Sequence, residues 1–110
     1  MALVADITIK QGEAKTLKFT VTNGGDLSAT TVKFACKRQK KDATYIIEKL
    51  NATFDKSEAA TSILYVPLSA TDTNQTPGFY YGELKITFAA SNIDKSADII
   101  IEIEHAVITD

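Results

Sequence analysis

The sequence of 110 residues predicts an all-β protein, an antiparallel β-sandwich of about seven strands. Polar and apolar residues alternate in four stretches: Thr16–Val21, Thr31–Cys36, Glu83–Phe88 and Asp98–Glu104. Successive side chains of a strand point to opposite faces, so this period of two indicates sheets with one dry face and one solvated face. Turn residues separate the stretches, and no segment shows the 3.6-residue period of a helix, which together favour a sandwich.

The alternation also determines the register of each strand. Shifting a strand by one residue exposes three large apolar side chains, which costs roughly 5–9 kcal/mol at ~1.5–3 kcal/mol each. We therefore expect Leu17, Phe34, Ile86 and Ile101 to lie in one buried layer.

Seven strands are predicted in order along the chain. A turn at Gly12 ends the first strand, and the Asn-Gly-Gly-Asp segment 23–26, the strongest turn signal, ends the second. Residues 26–30 predict a single helical turn or a bend before the third strand. The predicted strands are Val4–Ile9, Ala14–Thr22, Thr31–Arg38, Thr44–Leu50, Thr61–Leu68, Phe79–Phe88 and Ala97–Ile103.

The later connections are less regular. Residues 51–57 are compatible with an extension of the fourth strand or with a loop, and residues 69–78 form the longest polar connection. The fifth strand is apolar on both faces, and its Pro67 cannot donate a ladder hydrogen bond, so we expect it at a sheet edge or beside a bulge. The tail, residues 105–110, either prolongs the last strand or docks onto a partner.

Length and composition predict a single domain over residues 1–110, because neither half would hold a sufficient core. The net charge of −2 predicts no nucleic-acid partner and no anionic membrane partner. The segment Met1–Ala5 lacks the basic residues of a signal peptide. No apolar stretch approaches the ~18 residues of a membrane helix.

The sequence carries no catalytic or metal-binding motif, so we expect no enzymatic activity, no cofactor and no metal. The single histidine, His105, has no second histidine and no cysteine at the spacing of a zinc site, and phosphate-loop and nucleophile-elbow motifs are absent. Cys36, the single cysteine, falls on the apolar phase of its strand. This phase predicts a buried thiol, and the alternative is an exposed, reactive one.

Tyr80 begins the sixth strand directly after the long polar connection. In immunoglobulin-like sandwiches, a tyrosine at this corner bonds its hydroxyl group back to the preceding connection. Tyr80 shares the phase of Leu84, Ile86 and Phe88, so its ring is expected to face inward. It is predicted to be a structural corner of an immunoglobulin-like sandwich. The alternative is an aromatic ligand platform built from Phe79 and Tyr81 on the other face.

The only charge run is Lys37-Arg38-Gln39-Lys40-Lys41. No aromatic residue is interleaved with it, so it is predicted to be a solvated hairpin tip. Contact with phosphate or with an acidic partner surface is the alternative.

The order of these motifs resembles a known family. Three segments carry the resemblance: Ile7–Glu13 before an alternating strand, Asp26–Phe34 after the glycine turn, and the Asp72-Thr73 loop that leads to Gly78–Leu84. They are similar to the immunoglobulin-like N-terminal domain of upper baseplate proteins of tailed bacteriophages that infect Gram-positive bacteria, and to related small phage tail-associated structural proteins. Upper baseplate proteins continue into fibre or receptor-binding regions, which this sequence does not contain.

The resemblance implies a virion component, assembled in the host cytoplasm, that docks onto other phage structural proteins or onto copies of itself. It implies no catalytic residues. Two candidate docking surfaces are the two-sided apolar strand, with Ile63, Tyr65 and Val66, and the tail, with Val107 and Ile108. The alternative is that both simply pack inside the monomer. A second hypothesis is a carbohydrate- or cell-surface-binding module, which the absence of tryptophan disfavours.

Overall fold

The computed structural model describes residues 5–22, 24–89, 92–96 and 98–108. Within these ranges the chain forms eight β-strands, two single-turn 3-10 helices (Asn51–Thr53 and Ala59–Thr61) and one short α-helix, α1 (Ala70–Thr73). The strands are β1 (Ile7–Lys10), β2 (Lys15–Thr20), β3 (Thr31–Lys37), β4 (Ile47–Lys49), β5 (Ile63–Leu68), β6 (Gly78–Ala89), β7 (Asn92–Lys95) and β8 (Ile99–Glu104).

The strands form two packed sheets. The large sheet has the order β1-β8-β6-β3-β4, with β7 also paired to β6, and the small sheet consists of β2 and β5. By their positions in the sheets, β8, β6, β3 and β4 correspond to the G, F, C and C′ strands of an immunoglobulin variable-type domain, and β2 and β5 correspond to strands B and E. The predicted fold class, an immunoglobulin-like β-sandwich, is therefore confirmed.

One strand pair departs from the antiparallel expectation. Strands β1 and β8 run parallel, with Ile7 opposite Ile101 and Ile9 opposite Ile103. A parallel pair needs a long connection, and here nearly the whole sandwich lies between the two strands. All other named pairs in the described ranges are antiparallel.

The buried layer has the predicted members. Leu17, Phe34, Ile86 and Ile101 are all buried in one hydrophobic core that draws side chains from both sheets. The rings of Phe34 in the large sheet and Phe19 in the small sheet lie 5.4 Å apart, tilted by 40°. Tilted aromatic pairs at this distance add to the burial energy, so this pair links the two sheets.

Gly82 provides the room for the Phe34 ring. It lies on the inner face of β6, opposite Cys36 in β3. A Cβ atom at this position would approach the Phe34 ring to 3.3 Å and Ile101 Cδ1 to 3.2 Å. The missing side chain therefore allows three neighbouring strands to pack closely around one large ring.

One predicted strand is shorter than expected, and one strand was not predicted. The fourth is shorter than expected and covers only Ile47–Lys49. The seventh, predicted over Ala97–Ile103, corresponds to β8. An additional strand, β7, lies in the segment 89–96 that was predicted to be a connection, and both β7 and β8 pair with β6. Between them, the Ser96 N–H donates to the Leu84 carbonyl oxygen and the Ser96 hydroxyl oxygen accepts from the Leu84 N–H, which interrupts the regular ladder. The predicted positions Val4, Asn23 and Ala97 lie outside the described residues.

The two irregular connections contain local structure. In the segment 51–57, a 3-10 helix is followed by an isolated bridge between Asp55 and Tyr65 of β5. In the segment 69–78, Ser69 and Asp72 form a capping box at the start of α1. Lys49 Nζ lies 2.6 Å from Asp72 Oδ2, so this connection is also tied to the edge of the large sheet.

We expect Phe34→Ala to lower the free energy of unfolding by about 3–5 kcal/mol, because it removes a fully buried ring and leaves a cavity. Phe88→Ala is the matched control, since Phe88 is 36% exposed, and we expect it to cost about 1 kcal/mol or less. Urea denaturation of both variants measures the difference. Equal losses would contradict the assigned burial.

Candidate functional site

Tyr80 has the geometry of a tyrosine corner. Its ring is buried at the start of β6, and its hydroxyl group donates to the backbone carbonyl oxygen of Thr76, four residues earlier in the preceding connection. This is the arrangement that immunoglobulin-like sandwiches use at the corresponding corner. The role is structural, since the hydrogen bond holds the connection against the sheet.

Arg38 covers the same corner from outside. Its guanidinium carbon lies 5.0 Å from the centre of the Tyr80 ring, in the range of a cation–π contact. Gly78 lies beneath it with φ +144°, and a Cβ atom there would come within 2.2 Å of Arg38 Nη1. Arg38 belongs to the charge run that was predicted to be a solvated hairpin tip, and residues 38–41 are exposed as expected. The Arg38 guanidinium additionally lies against the corner.

The predicted docking strand, β5, is largely covered by its own domain. Val66 is buried, and Ile63 and Tyr65 are half-buried. The Tyr65 N–H and carbonyl group bond to the Asp55 backbone at 3.2 and 2.8 Å, and the Ile63 N–H donates to the Glu58 carbonyl oxygen at 3.3 Å. Together with Pro67, which has no N–H, these bonds leave little of the edge open for another strand. The geometry favours the alternative, in which β5 packs inside the monomer.

The predicted docking tail is accessible. Strand β8 ends at Glu104, so the tail does not prolong the sheet. Beyond it, Val107 is 92% and Ile108 75% exposed, beside the turn at Gln11 and Gly12. The last two residues of the predicted tail, Thr109 and Asp110, lie outside the described residues.

Cys36 is buried in the core, which agrees with the predicted phase. Burial raises the pKa of its thiol to about 12. The thiolate is the reactive form of cysteine, so Cys36 is not a nucleophile near neutral pH.

A depression of about 280 Å³ lies on the outer face of the large sheet. Its floor is formed by Ala35 of β3 and the backbone of Gly82 in β6, and long side chains surround it. Ala35 alternates with lysines along β3, so its short side chain creates the space. We call this feature the lysine depression, after the lysines that line it: Lys33, Lys37, Lys40, Lys85 and Lys95.

Two of these lysines are paired with carboxylates. Lys33 Nζ lies 2.9 Å from Glu48 Oε2, and Lys40 Nζ lies 2.6 Å from Asp98 Oδ2. In each case the hydrogen bond to the carboxylate raises the pKa of the ammonium group. Both pairs are solvent-exposed, so each adds little to stability.

Aromatic rings complete the lysine depression. The ring of Tyr45 lies 4.6 Å from Lys33 Nζ and 5.2 Å from Lys37 Nζ, measured to its centre. Tyr81 lines the wall opposite Lys37 in the strand register. Of the predicted aromatic platform, Tyr81 thus lines the depression, whereas Phe79 does not.

Sequence reasoning missed the lysine depression because its residues come from distant segments. The charge run contributes only Lys37 and Lys40, and the aromatic rings that it lacks in sequence are supplied by other parts of the chain. The one local signal was the outward phase that Lys33 and Lys85 share on their strands. Combining that phase with the pairing of β3 and β6 would have placed them together.

Other site chemistry is limited in the described ranges. They hold no group of three or more histidine, cysteine or acidic side chains that could bind a metal. Over those same residues, no helix is long and apolar enough to cross a bilayer. His105 is exposed and does not line the lysine depression.

No protein-family model and no curated protein matches this sequence. Among solved structures, the V domain of amphioxus IgVJ-C2 is similar, with 13% sequence identity and a TM-score of 0.34 over 89% of this chain and 99% of that chain. This likeness is too distant to support an argument about function. The fold assignment rests on the strand order and pairing described above.

We expect Tyr80→Phe to lower the free energy of unfolding by about 1 kcal/mol, because it removes the hydrogen bond to the Thr76 carbonyl group. Tyr81→Phe removes a hydroxyl group from the outer face of the same strand. We expect this control to change the free energy of unfolding by less than about 0.5 kcal/mol. Thermal and urea unfolding compare the two. A Tyr80→Phe variant as stable as the Tyr81→Phe control would show that the corner bond does not stabilise the fold.

Proposed function

We propose that this chain is a structural assembly module of a bacteriophage or prophage particle, associated with its baseplate, tail or head. It acts by docking onto other proteins. The observation that supports docking is the exposure of Val107 and Ile108, two adjacent large apolar side chains beyond the last strand. The particle context rests on the sequence resemblance of three segments to phage baseplate domains.

The tail suits a contact that is weak in one copy but becomes strong when many copies of the chain make it together. Burying one aliphatic side chain contributes about 1.5–3 kcal/mol, so two of them supply only a modest share of a stable interface. Repetition of the same contact around a symmetric particle multiplies its effect. The expected partners are therefore other structural proteins of the particle, or further copies of this chain in a closed oligomer.

The proposal includes no catalytic step. Cys36, the one thiol of the chain, is buried with a raised pKa, and His105 does not line the lysine depression. A docking role needs only a stable scaffold with exposed contact residues, and the sandwich provides both.

We expect the double variant Val107→Ser, Ile108→Ser to lose incorporation into particles, because it removes the apolar contact. Its fold should be unchanged within about 0.5 kcal/mol, since both side chains are exposed. Immunoblotting of gradient-purified particles from cells that carry the encoding phage or prophage measures incorporation.

Leu50→Ser is the matched control for this test, because Leu50 is 56% exposed and lies in another part of the fold. It should be incorporated like the wild type. A wild-type chain missing from the particles would refute the virion assignment, and full incorporation of the tail variant would refute docking through the tail.

A second candidate function is a carbohydrate- or cell-surface-binding module. The observation that favours it is the placement of Tyr45 and Tyr81 around the lysine depression, since sugar rings stack on flat aromatic faces. Reproducible binding on a glycan array would favour this second function over assembly.

A further inference from the structure

We infer that the lysine depression is a binding site for an anionic saccharide, a sugar chain that bears sulfate or phosphate groups. This inference deepens the second candidate function and does not depend on the assembly role. The lysine depression and the docking tail share no lining residue, so each can be tested while the other is left intact.

The strand register places three like charges in a row. Lys33 of β3 is opposite Lys85 of β6, and Lys85 is opposite Lys95 of β7. Neighbouring strands lie ~4.8 Å apart, so the three side chains emerge from a line of about 10 Å. Like charges directly opposite each other destabilise a sheet, and an anion that bridges them removes that repulsion.

These lysines are poorly neutralised by the protein. Among the residues that the structure describes, Lys33 is paired with Glu48, whereas no carboxylate lies within ion-pair distance of Lys85 or Lys95. The five lysines of the depression face three carboxylates, those of Glu83 and Asp98 in the lining and that of Glu48 beside it. The face is therefore positive on a chain whose total charge is −2, which attracts an anion to this place rather than to the whole surface.

The remaining lining favours a sugar over other polyanions. Tyr45 is 45% exposed and offers a flat ring beside the ammonium groups. The carboxylates of Glu83 and Asp98 can accept hydrogen bonds from sugar hydroxyl groups. They repel a nucleic-acid strand, which carries one phosphate group on every nucleotide. Lysine acts as a point charge that suits a tetrahedral sulfate or phosphate.

The size of the site limits the ligand. A volume of about 280 Å³ lies just below the ~300–1,000 Å³ typical of small-molecule sites, so only a short segment of a sugar chain fits. Ala35 forms the floor, and a longer side chain there would fill the space without changing any charge.

The test uses the whole chain and two fluorescein-labelled probes, a sulfated and a phosphorylated hexasaccharide, in anisotropy titrations at about 0.15 M ionic strength, where a Debye length of ~8 Å screens charges outside the depression. We expect saturable binding of at least one of them. Lys85→Gln with Lys95→Gln should weaken it by at least about tenfold, because two charge-assisted contacts are lost. Ala35→Gln should weaken it to a similar extent by filling the site.

Lys10→Gln with Lys18→Gln is the matched control, since it removes the same charge from surfaces outside the depression. We expect it to change the affinity by less than about twofold. Failure of the wild type to bind either probe would overturn the proposal, as would equal losses in the two double variants or unchanged binding by Ala35→Gln. Hexaglutamate or a thymidine oligonucleotide of equal charge that binds as tightly as the hexasaccharides would overturn the saccharide assignment.

A second readout needs no ligand. If the lysine row is repulsive, Lys85→Gln with Lys95→Gln should raise Tm by roughly 2–4 °C in the free protein. A lower Tm in this variant would contradict the repulsion on which the inference rests.

Discussion

The packing of Phe34 between the two sheets is the constraint on which the rest of the structure depends. Its ring meets Phe19 of the small sheet at 5.4 Å and occupies the space left by Gly82 in its own sheet. Because side chains alternate along a strand, turning Phe34 inward turns Lys33 and Ala35 outward. The register that places Phe34 opposite Leu84 also places Lys33 opposite Lys85. The same register of β3 against β6 therefore builds both the core and the lysine depression.

Most of the fold could be predicted from the sequence, because shifting the register of a strand by one residue would expose its large apolar side chains to water. The inward phase of Leu17 and Ile101 and the corner position of Tyr80 follow from alternation and from the preceding connection alone. The parallel pairing of β1 with β8 could not be predicted from the sequence. The two strands lie at opposite ends of the chain, so no local turn between them indicates that they pair. The extra strand β7 could not be predicted either, because its separation from β8 at Ser96 depends on bonds to Leu84 that leave no periodic signal.

The candidate surfaces were harder to predict than the core, because exposure depends on what other segments cover. The apolar pattern of β5 indicated an available edge, whereas Asp55 and Glu58, from a connection of ambiguous pattern, bond to its outer side. The tail is different, since no strand of the described sandwich covers Val107 or Ile108. The lysine depression needs the pairing of three strands to exist, so its residues carry no shared signal in the sequence. One rigid scaffold thus presents an apolar tail and a basic face as separate surfaces.

The central claim is that the inner faces of the two sheets meet at Phe34, and nuclear Overhauser spectroscopy of the folded protein tests it most directly. Ring protons of Phe34 should give cross-peaks to the ring of Phe19 and to the α-protons of Gly82, since each pair is in contact. A spectrum in which Phe34 shows neither cross-peak and its ring is open to solvent would contradict the register, and with it the placement of the lysine row.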